Sequence, residues 1–140
     1  MKRHSALFAF LCSAALGLPM GAAAQTAAPT MTDEQYGTAK DQIDTRYKAD
    51  KQRCDALTDN AEDVCEKEAE ARQKVAEAEL KHKRSGTPED ARDLAEVRAE
   101  TNYEVAKEKC DANSGNTKDV CLAEAKAAEA KAKADAAAVR

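Results

Sequence analysis

The segment CDALTDNAEDVC, from Cys54 to Cys65, recurs as CDANSGNTKDVC from Cys110 to Cys121. The similarity is not confined to the cysteines, because identical residues recur at an offset of 56 positions along the segment 45–71. Self-similarity at a fixed offset indicates a duplicated structural unit. The chain therefore contains two copies of one unit, each with its own cysteine pair.

The composition around the cysteine segments favours helices. Alanine and charged residues dominate, 34% of the chain is charged, and runs of β-branched residues are rare. Thr32 with Gln35 fits a capping box, and in the segment SGTPED a helix ends at Gly86 while Thr87 and Pro88 begin the next. We predict four helices, at residues 33–57, 61–84, 88–112 and 117–139.

Each cysteine segment contains a turn between two helices. The sequences TDN at 58–60 and NSGN at 113–116 interrupt the helical pattern. Gly115 is predicted to adopt a left-handed backbone, and Asn60 and Asn116 are predicted to cap the helices that follow. The first cysteine of each pair is expected about one turn before its helix ends, and the second a little over one turn into the next helix. Each unit is therefore an αα-hairpin.

The sequence predicts an all-α fold of two tandem disulfide-stapled αα-hairpins. The first hairpin repeat spans 32–84, residues 85–88 form a linker, and the second repeat spans 89–140. Packing as one four-helix bundle and separation into two modules both remain open. Large apolar residues are few, so the helices must meet through thin contacts lined by alanine. The tail after Lys131 is mostly alanine, and we expect its last turns to be exposed and frayed.

The N-terminus has the pattern of a secretory signal peptide. A basic stretch at 2–4 precedes an apolar run that ends in small residues. A transmembrane helix is the alternative, but it requires about 20 apolar residues and Pro19 interrupts this run. We predict a signal peptide at 1–24 that is cleaved after Ala24, then a flexible lead-in at 25–31. The protein is expected in the periplasm, without a transmembrane segment after cleavage.

Cleavage would leave four cysteines and change the net charge from −4 to −6, because Lys2 and Arg3 are lost. An acidic chain argues against nucleic acid and anionic membrane surfaces as partners, since both are usually bound by clustered lysine and arginine. An even number of cysteines in an exported chain indicates a disulfide framework.

Cys54 with Cys65 and Cys110 with Cys121 is the favoured pairing, because antiparallel helices bring each pair together across its own turn. Four cysteines allow three pairings. The strongest alternative, Cys54 with Cys121 and Cys65 with Cys110, resembles the twin cysteine-motif helical hairpins of mitochondria. Those hairpins carry each cysteine pair on one unbroken helix, whereas NSGN interrupts the second pair here.

The sequence contains no residue pattern typical of an enzyme or a metal site. The C-x-x-C spacing of zinc sites and thioredoxin-like proteins is absent. His82 lies in a basic run at a helix end, where positive charge complements the helix dipole. Tyr47 and Tyr103, each seven residues before a cysteine, are interpreted as packing anchors, with ligand stacking as the alternative. We predict no catalytic residue, no cofactor-binding residue and no metal ligand.

Both repeats carry a long common pattern, KADKQRCDALTDNAEDVCEKEAEA in the first and AKEKCDANSGNTKDVCLAEAKAAEAKAKAD in the second. This pattern resembles that of a group of small exported proteins of Gram-negative bacteria, labelled as cell envelope biogenesis proteins, TolA-like. The resemblance implies the compartment. It assigns no site residue, because similarity to TolA itself is limited to helices rich in alanine, lysine and glutamate.

The leading hypothesis for function is a non-catalytic periplasmic helical protein. It would be a structural or stress-related envelope component that binds another envelope protein or a second copy of itself. The alternative is a periplasmic metal-ion or small-ligand binding protein that uses acidic helix faces or reduced cysteines.

Overall fold

A computed structural model describes residues 31–139 of the protein. The predicted signal peptide and nearly all of the predicted lead-in lie outside these residues. Within the described range the chain forms four α-helices and no strand. The all-α prediction is confirmed, with helices α1 (Asp33–Cys54), α2 (Asn60–Ser85), α3 (Pro88–Cys110) and α4 (Gly115–Ala137).

The helix starts that depend on local side-chain capping lie where the sequence places them. The Thr32 hydroxyl accepts a hydrogen bond from the Gln35 backbone N–H at 3.2 Å, and the Gln35 side chain accepts one from the Thr32 N–H at 3.0 Å. Thr87 caps α3 by accepting from the Asp90 N–H at 3.1 Å. Gly86 closes α2 with a φ of 64°. The capping box and the boundary between α2 and α3 are therefore confirmed.

The two cysteine turns differ from the prediction. The helices α1 and α3 end at their cysteines, three and two residues earlier than expected. The cause is a tighter turn in both repeats: the Leu57 N–H donates to the Cys54 carbonyl at 2.8 Å, and the Asn113 N–H donates to the Cys110 carbonyl at 3.0 Å. The first cysteine of each pair is thus the last residue of its helix.

The predicted caps Asn60 and Asn116 are wrong. The capping positions belong to Asp59 and Ser114, and neither side chain makes a capping hydrogen bond. The Asn60 side chain instead donates to the backbone carbonyl of Glu108 at 3.0 Å. This carbonyl, in the last turn of α3, also accepts from the Asp111 N–H at 3.0 Å, so Asn60 adds a second hydrogen bond there and links the two repeats.

A left-handed residue occupies the same place in both cysteine turns. Asp59 has a φ of 55° and Gly115 a φ of 57°, and the two positions correspond at the 56-residue offset of the repeats. The left-handed conformation predicted for Gly115 is confirmed, but it opens α4 and does not close α3. The turn therefore requires this backbone conformation, and the first repeat meets the requirement with a residue that is strained there.

The helices pack in chain order, α1 on α2, α2 on α3 and α3 on α4. Neighbouring helices are antiparallel, as the ion pair between Asp33 in the first turn of α1 and Arg84 in the last turn of α2 shows, at 2.5 Å. Among the described residues, no close backbone approach joins α1 to α3 or α4. The two hairpins therefore form one open bundle, in which α1 and α4 are the edges.

The core is thin, as the scarcity of large apolar residues predicts. Its buried members are mostly alanines and cysteines, and Leu80 is the largest apolar side chain among them. Ala136 is 2% exposed near the end of α4, and Lys133 pairs with Glu100 of α3 at 3.1 Å. Most residues after Lys131 are exposed, as predicted, but α4 continues to Ala137 and these contacts place its last turns against α3.

Each hairpin is closed by its own disulfide. Cys54 is bonded to Cys65 and Cys110 to Cys121, with Cα atoms 5.5 and 5.7 Å apart. Both distances lie within the range in which disulfides form without backbone movement. The local pairing is the one that the structure contains.

Replacing Asp59 by glycine is expected to stabilise the protein. Asp59 makes no capping bond, so the substitution removes backbone strain without losing a side-chain contact of that kind, and the free energy of unfolding should rise by up to about 1 kcal/mol. Denaturant titration followed by circular dichroism measures this change. The reciprocal variant Gly115→Ala should be less stable, because no atom lies within 4 Å of the added Cβ and only backbone strain changes. A destabilised Asp59→Gly variant would contradict the explanation.

Proteolysis of the unreduced protein between the repeats is expected to release two fragments, each with its own disulfide. Fragments that stay joined until a reductant is added would show pairing across the repeats. Reduction should lower the free energy of unfolding by about 3 kcal/mol per disulfide, because each closes a short loop in the unfolded chain. Mass spectrometry of the digest and thermal melts with and without reductant measure the two effects.

Candidate functional site

The cysteines provide no reactive thiol in this structure. All four cysteines of the described residues are bonded in pairs. Cys54 is 0% exposed and Cys110 is 1% exposed, so the first sulfur of each pair is also shielded from solvent. A disulfide sulfur is neither a thiolate nucleophile nor a zinc ligand. Among the described residues the cysteines therefore act as covalent links between helices.

His82 lies in the last turn of α2 with Lys83 and Arg84, as its place in the basic run predicts. Its Nδ1 atom is buried and has no hydrogen-bond partner among the described residues. A general-base histidine is usually oriented by an acceptor at one ring nitrogen while the other faces substrate. His82 has no such orienting bond, and it lies among cationic side chains that complement the C-terminal end of the helix dipole.

The tyrosines contact the protein itself. The Nζ atom of Lys126 lies 4.9 Å from the centre of the Tyr103 ring, and the guanidinium carbon of Arg84 lies 4.6 Å from that of Tyr36. These cation–π contacts join α4 to α3 and α2 to α1. Tyr47 is half-buried and lines a groove. The contact between Tyr103 and Lys126 agrees with the interpretation of Tyr103 as a packing residue, and it explains the position of the ring without a ligand.

A groove lies over α2, with α1 and α3 as its walls. Its volume is about 640 Å³, which is within the range of small-molecule sites. Ile43, Tyr47 and Leu80 contribute apolar surface, and Asp50 and Arg72 contribute charge. The groove exists because the bundle is open, so that α1 and α3 flank α2 without touching each other.

Asp50 is the most buried carboxylate of the described residues, at 3% exposure. Its oxygens accept hydrogen bonds from Arg72 at 3.0 Å and from Arg53. Burial opposes ionisation of Asp50, but the Arg72 hydrogen bond and the charges of Arg53, Arg72 and Arg46 outweigh it and hold the pKa below its usual range. Asp50 is therefore an ionised, fully paired link between α1 and α2.

Two further carboxylates have lowered pKa values. Hydrogen bonds from Lys126 and Lys133, at 2.9 and 3.0 Å, hold the pKa of Glu129 below its usual range. A hydrogen bond from Lys81 at 2.6 Å does the same for the pKa of Asp90, together with bonds from Ser85 and Thr87. Both carboxyl groups are nearly buried and both are paired. Asp90 links α3 to Lys81 of α2, whereas Glu129 pairs with two lysines of its own helix. Neither carboxyl group has the raised pKa of a general acid.

One group of carboxylates could in geometry hold a metal ion. Oxygens of Asp55, Glu62 and Glu66 lie within 4.8 Å of one another beside the first disulfide. Asp55 is exposed, and Glu66 is already engaged by Lys51. Clustered surface carboxylates are common in so acidic a chain, and this cluster includes no buried, unpartnered ligand. It is therefore a place to test for metal, and it does not by itself define a site.

Comparison with known proteins yields no match. No protein-family model, no curated protein and no solved structure is similar to this chain. Among residues 31–139, no helix combines the length and the apolar character that crossing a membrane requires. What the chain does must therefore be inferred from its own geometry.

The sequence predicted the disulfides. It did not predict the groove over α2 or the burial of Asp50. The groove depends on the order in which the helices pack, and no local pattern reports that order. Asp50 looks like one of many alternating charges, and its counterpart in the second repeat is Ala106. Asp50 is therefore not part of the pattern that the two repeats share, and the sequence does not distinguish it from the exposed carboxylates of the same helix.

Stability is expected to fall as the pH drops below about 4, the ordinary range of the carboxyl groups. A lowered folded-state pKa contributes stability above the unfolded pKa, and this contribution is lost as the pH falls through the folded value. Thermal melts between pH 7 and pH 2 should therefore show a smaller loss for Asp50→Asn than for the unchanged protein. Asp41→Asn, which alters an exposed carboxylate of the same helix, is the control. If Asp50→Asn and Asp41→Asn lose stability equally as the pH falls, ionised Asp50 does not account for the loss of stability in acid.

Proposed function

We propose that the protein is a non-catalytic helical component of the bacterial periplasm that acts by binding protein. The observation that carries the proposal is the construction of the fold: two covalently closed hairpins with a core of alanine and cysteine. Such a fold presents long helix faces and gives little enclosed space. Long exposed helix faces are a common means of recognising other helices.

The disulfides support an oxidising compartment. Disulfides persist in the periplasm and outside cells, and they are rare in the reducing cytosol. Each one contributes stability of the same order as the margin of a small domain with so thin a core. The predicted signal peptide at 1–24 and the resemblance to exported TolA-like proteins agree with this compartment. The proposal therefore includes export, cleavage after Ala24 and a role in the cell envelope.

The surface chemistry supports a protein partner. Ion pairs run along the outside of the described helices, for example Arg98 with Glu79 at 2.5 Å and Lys74 with Glu104 at 3.1 Å. Mixed charge of this kind specifies the register between helices and gives no basic surface for nucleic acid. The partner is either another envelope protein or a second copy of the chain.

Photo-crosslinking in living cells tests the proposal. A photoreactive amino acid at Thr38 on the outer face of α1, or at Ala130 on the outer face of α4, should give a discrete crosslinked product from the periplasm. The same amino acid at Ala99, which is 2% exposed, is the matched control and should give none. Mass spectrometry then identifies the captured chain. If neither exposed position gives a product above the Ala99 background, the proposal of a protein-binding role is wrong.

The alternative of a metal-ion or small-ligand binding protein has one structural observation in its favour, the group formed by Asp55, Glu62 and Glu66. Equilibrium dialysis of the oxidised protein against Ca²⁺, Mg²⁺ and Zn²⁺ separates the two functions. Stoichiometric uptake that is lost in Glu62→Gln, but retained in a variant of a distant exposed carboxylate such as Glu96→Gln, would favour the alternative.

A further inference from the structure

The outer face of α4 is apolar and uncovered. Its residues are spaced alternately by three and four positions, which places them along one side of a helix. All six are exposed, and Val120, at 48%, is one of the two large apolar side chains that the described part of the chain leaves exposed. These residues, called here the α4 outer face, are Val120, Ala123, Ala127, Ala130, Ala134 and Ala137.

The opposite side of α4 makes the contact with α3. Ala125, Glu129 and Ala136 are the buried residues of the helix, and Lys133 reaches across to Glu100. The α4 outer face therefore takes no part in the packing of the second hairpin.

The first repeat shows what packs on such a face. At the 56-residue offset, the α4 outer face corresponds to Val64, Lys67, Ala71, Lys74, Ala78 and Lys81 of α2. In α2 this face is directed toward α3: Lys74 pairs with Glu104 at 3.1 Å, and Lys81 pairs with Asp90 at 2.6 Å. In the first repeat, this face is thus covered by an antiparallel helix, α3.

The differences between the two faces identify the kind of helix that fits α4. Lys74 and Lys81 of α2 pair with acidic residues of α3, and Lys67 pairs with Glu70 of its own helix, whereas all three positions are alanine in α4. A helix that packs on α4 should therefore present small apolar residues at the same spacing, because alanine allows close approach only to a similarly small surface. The α4 outer face itself meets that description.

We propose that the α4 outer face binds the α4 outer face of a second copy of the chain, antiparallel and related by a two-fold axis. Charge complementarity supports this occupant. Glu124 and Lys131 lie seven residues apart along the same edge of the face. Lys131 pairs with Asp135 of its own helix at 2.7 Å and is otherwise exposed, and Glu124 has no ion pair within the described residues. An antiparallel pair centred near Ala127 brings Glu124 of each copy beside Lys131 of the other copy. A two-fold axis makes this contact twice.

The other edge helix, α1, is a less suitable partner for the α4 outer face. The outward residues of α1 are exposed and polar, and they offer no apolar surface to the alanines of α4. They are Glu34, Thr38, Asp41, Thr45, Lys48 and Gln52. Binding of α1 to α4 would also be head-to-tail and would produce rings or open chains of molecules, whereas the two-fold contact closes at two copies. The proposal goes beyond the proposed function, because it specifies self-association and the helix responsible.

Sedimentation equilibrium of the purified, oxidised protein tests the proposal. The unchanged protein should reach the mass of two chains, and Ala127→Glu should raise the dissociation constant about tenfold or more, because a charge would lie at the two-fold axis. Glutamate is a good helix former, so the fold should persist, and circular dichroism checks this. The matched control is Ala49→Glu, an exposed alanine of α1 that lies outside the α4 outer face, which should leave the dissociation constant unchanged.

A charge exchange tests the orientation. Glu124→Lys and Lys131→Glu should each weaken the dimer, and the double variant should restore it, because the double-variant cycle isolates the contact between the two positions. A monomer at concentrations up to about 100 μM, in the range of weak association, would overturn the proposal. So would insensitivity to Ala127→Glu, failure of the double variant to recover, or growth into open chains. A monomeric protein that still gives crosslinks to another envelope protein in cells would leave the proposed function standing.

Discussion

Each disulfide joins the last residue of one helix to the second turn of the next, so it fixes the level at which two antiparallel helices meet. From Cys54–Cys65 the pairing runs the whole length of the first hairpin and ends at Asp33 and Arg84, which are 2.5 Å apart. Alanine cannot set this register, because a smooth alanine surface packs almost equally well after a slip along the helix. The covalent bond therefore supplies the specificity that large interlocking side chains supply in thicker bundles.

A thin core changes the role of charge. In most small domains, exposed ion pairs contribute little to stability and buried ones barely offset the loss of hydration. Here the short alanine side chains let helices approach so closely that carboxylates such as Asp50 and Asp90 are nearly buried, and each pairs with a cation of the neighbouring helix, Arg72 or Lys81. These ion pairs form at one register of the helix contact, whereas alanine surfaces alone pack almost equally well at several. The disulfides set the register, and the paired carboxylates favour that register over its neighbours.

The features that the sequence predicts are those determined within a few residues. Thr32, Thr87 and Gly86 act on their own helix ends, and the duplicated cysteine spacing places each pair across its own turn. The conformation of the cysteine turns was harder to predict, because the left-handed residue of the first repeat is Asp59, and aspartate does not by itself indicate that conformation. The open order of the helices, the groove over α2 and the burial of Asp50 depend on contacts between distant segments, and a chain of repeating charges contains no signal for them.

Duplication explains why the two edges of the bundle differ. When an αα-hairpin is copied, the second helix of the first copy meets the first helix of the second copy, and Lys74 and Lys81 of α2 pair with acids of α3 at that junction. The first and last helices inherit the same faces without a neighbour. At such an end, a repeat protein needs a polar surface to stay soluble as a single chain. The outer side of α1 is polar and meets this need, but α4 has exchanged its three lysines for alanines. That exchange removes charge from an exposed face, which is the opposite of what a solvated end requires, and it is consistent with an end that is covered by another helix.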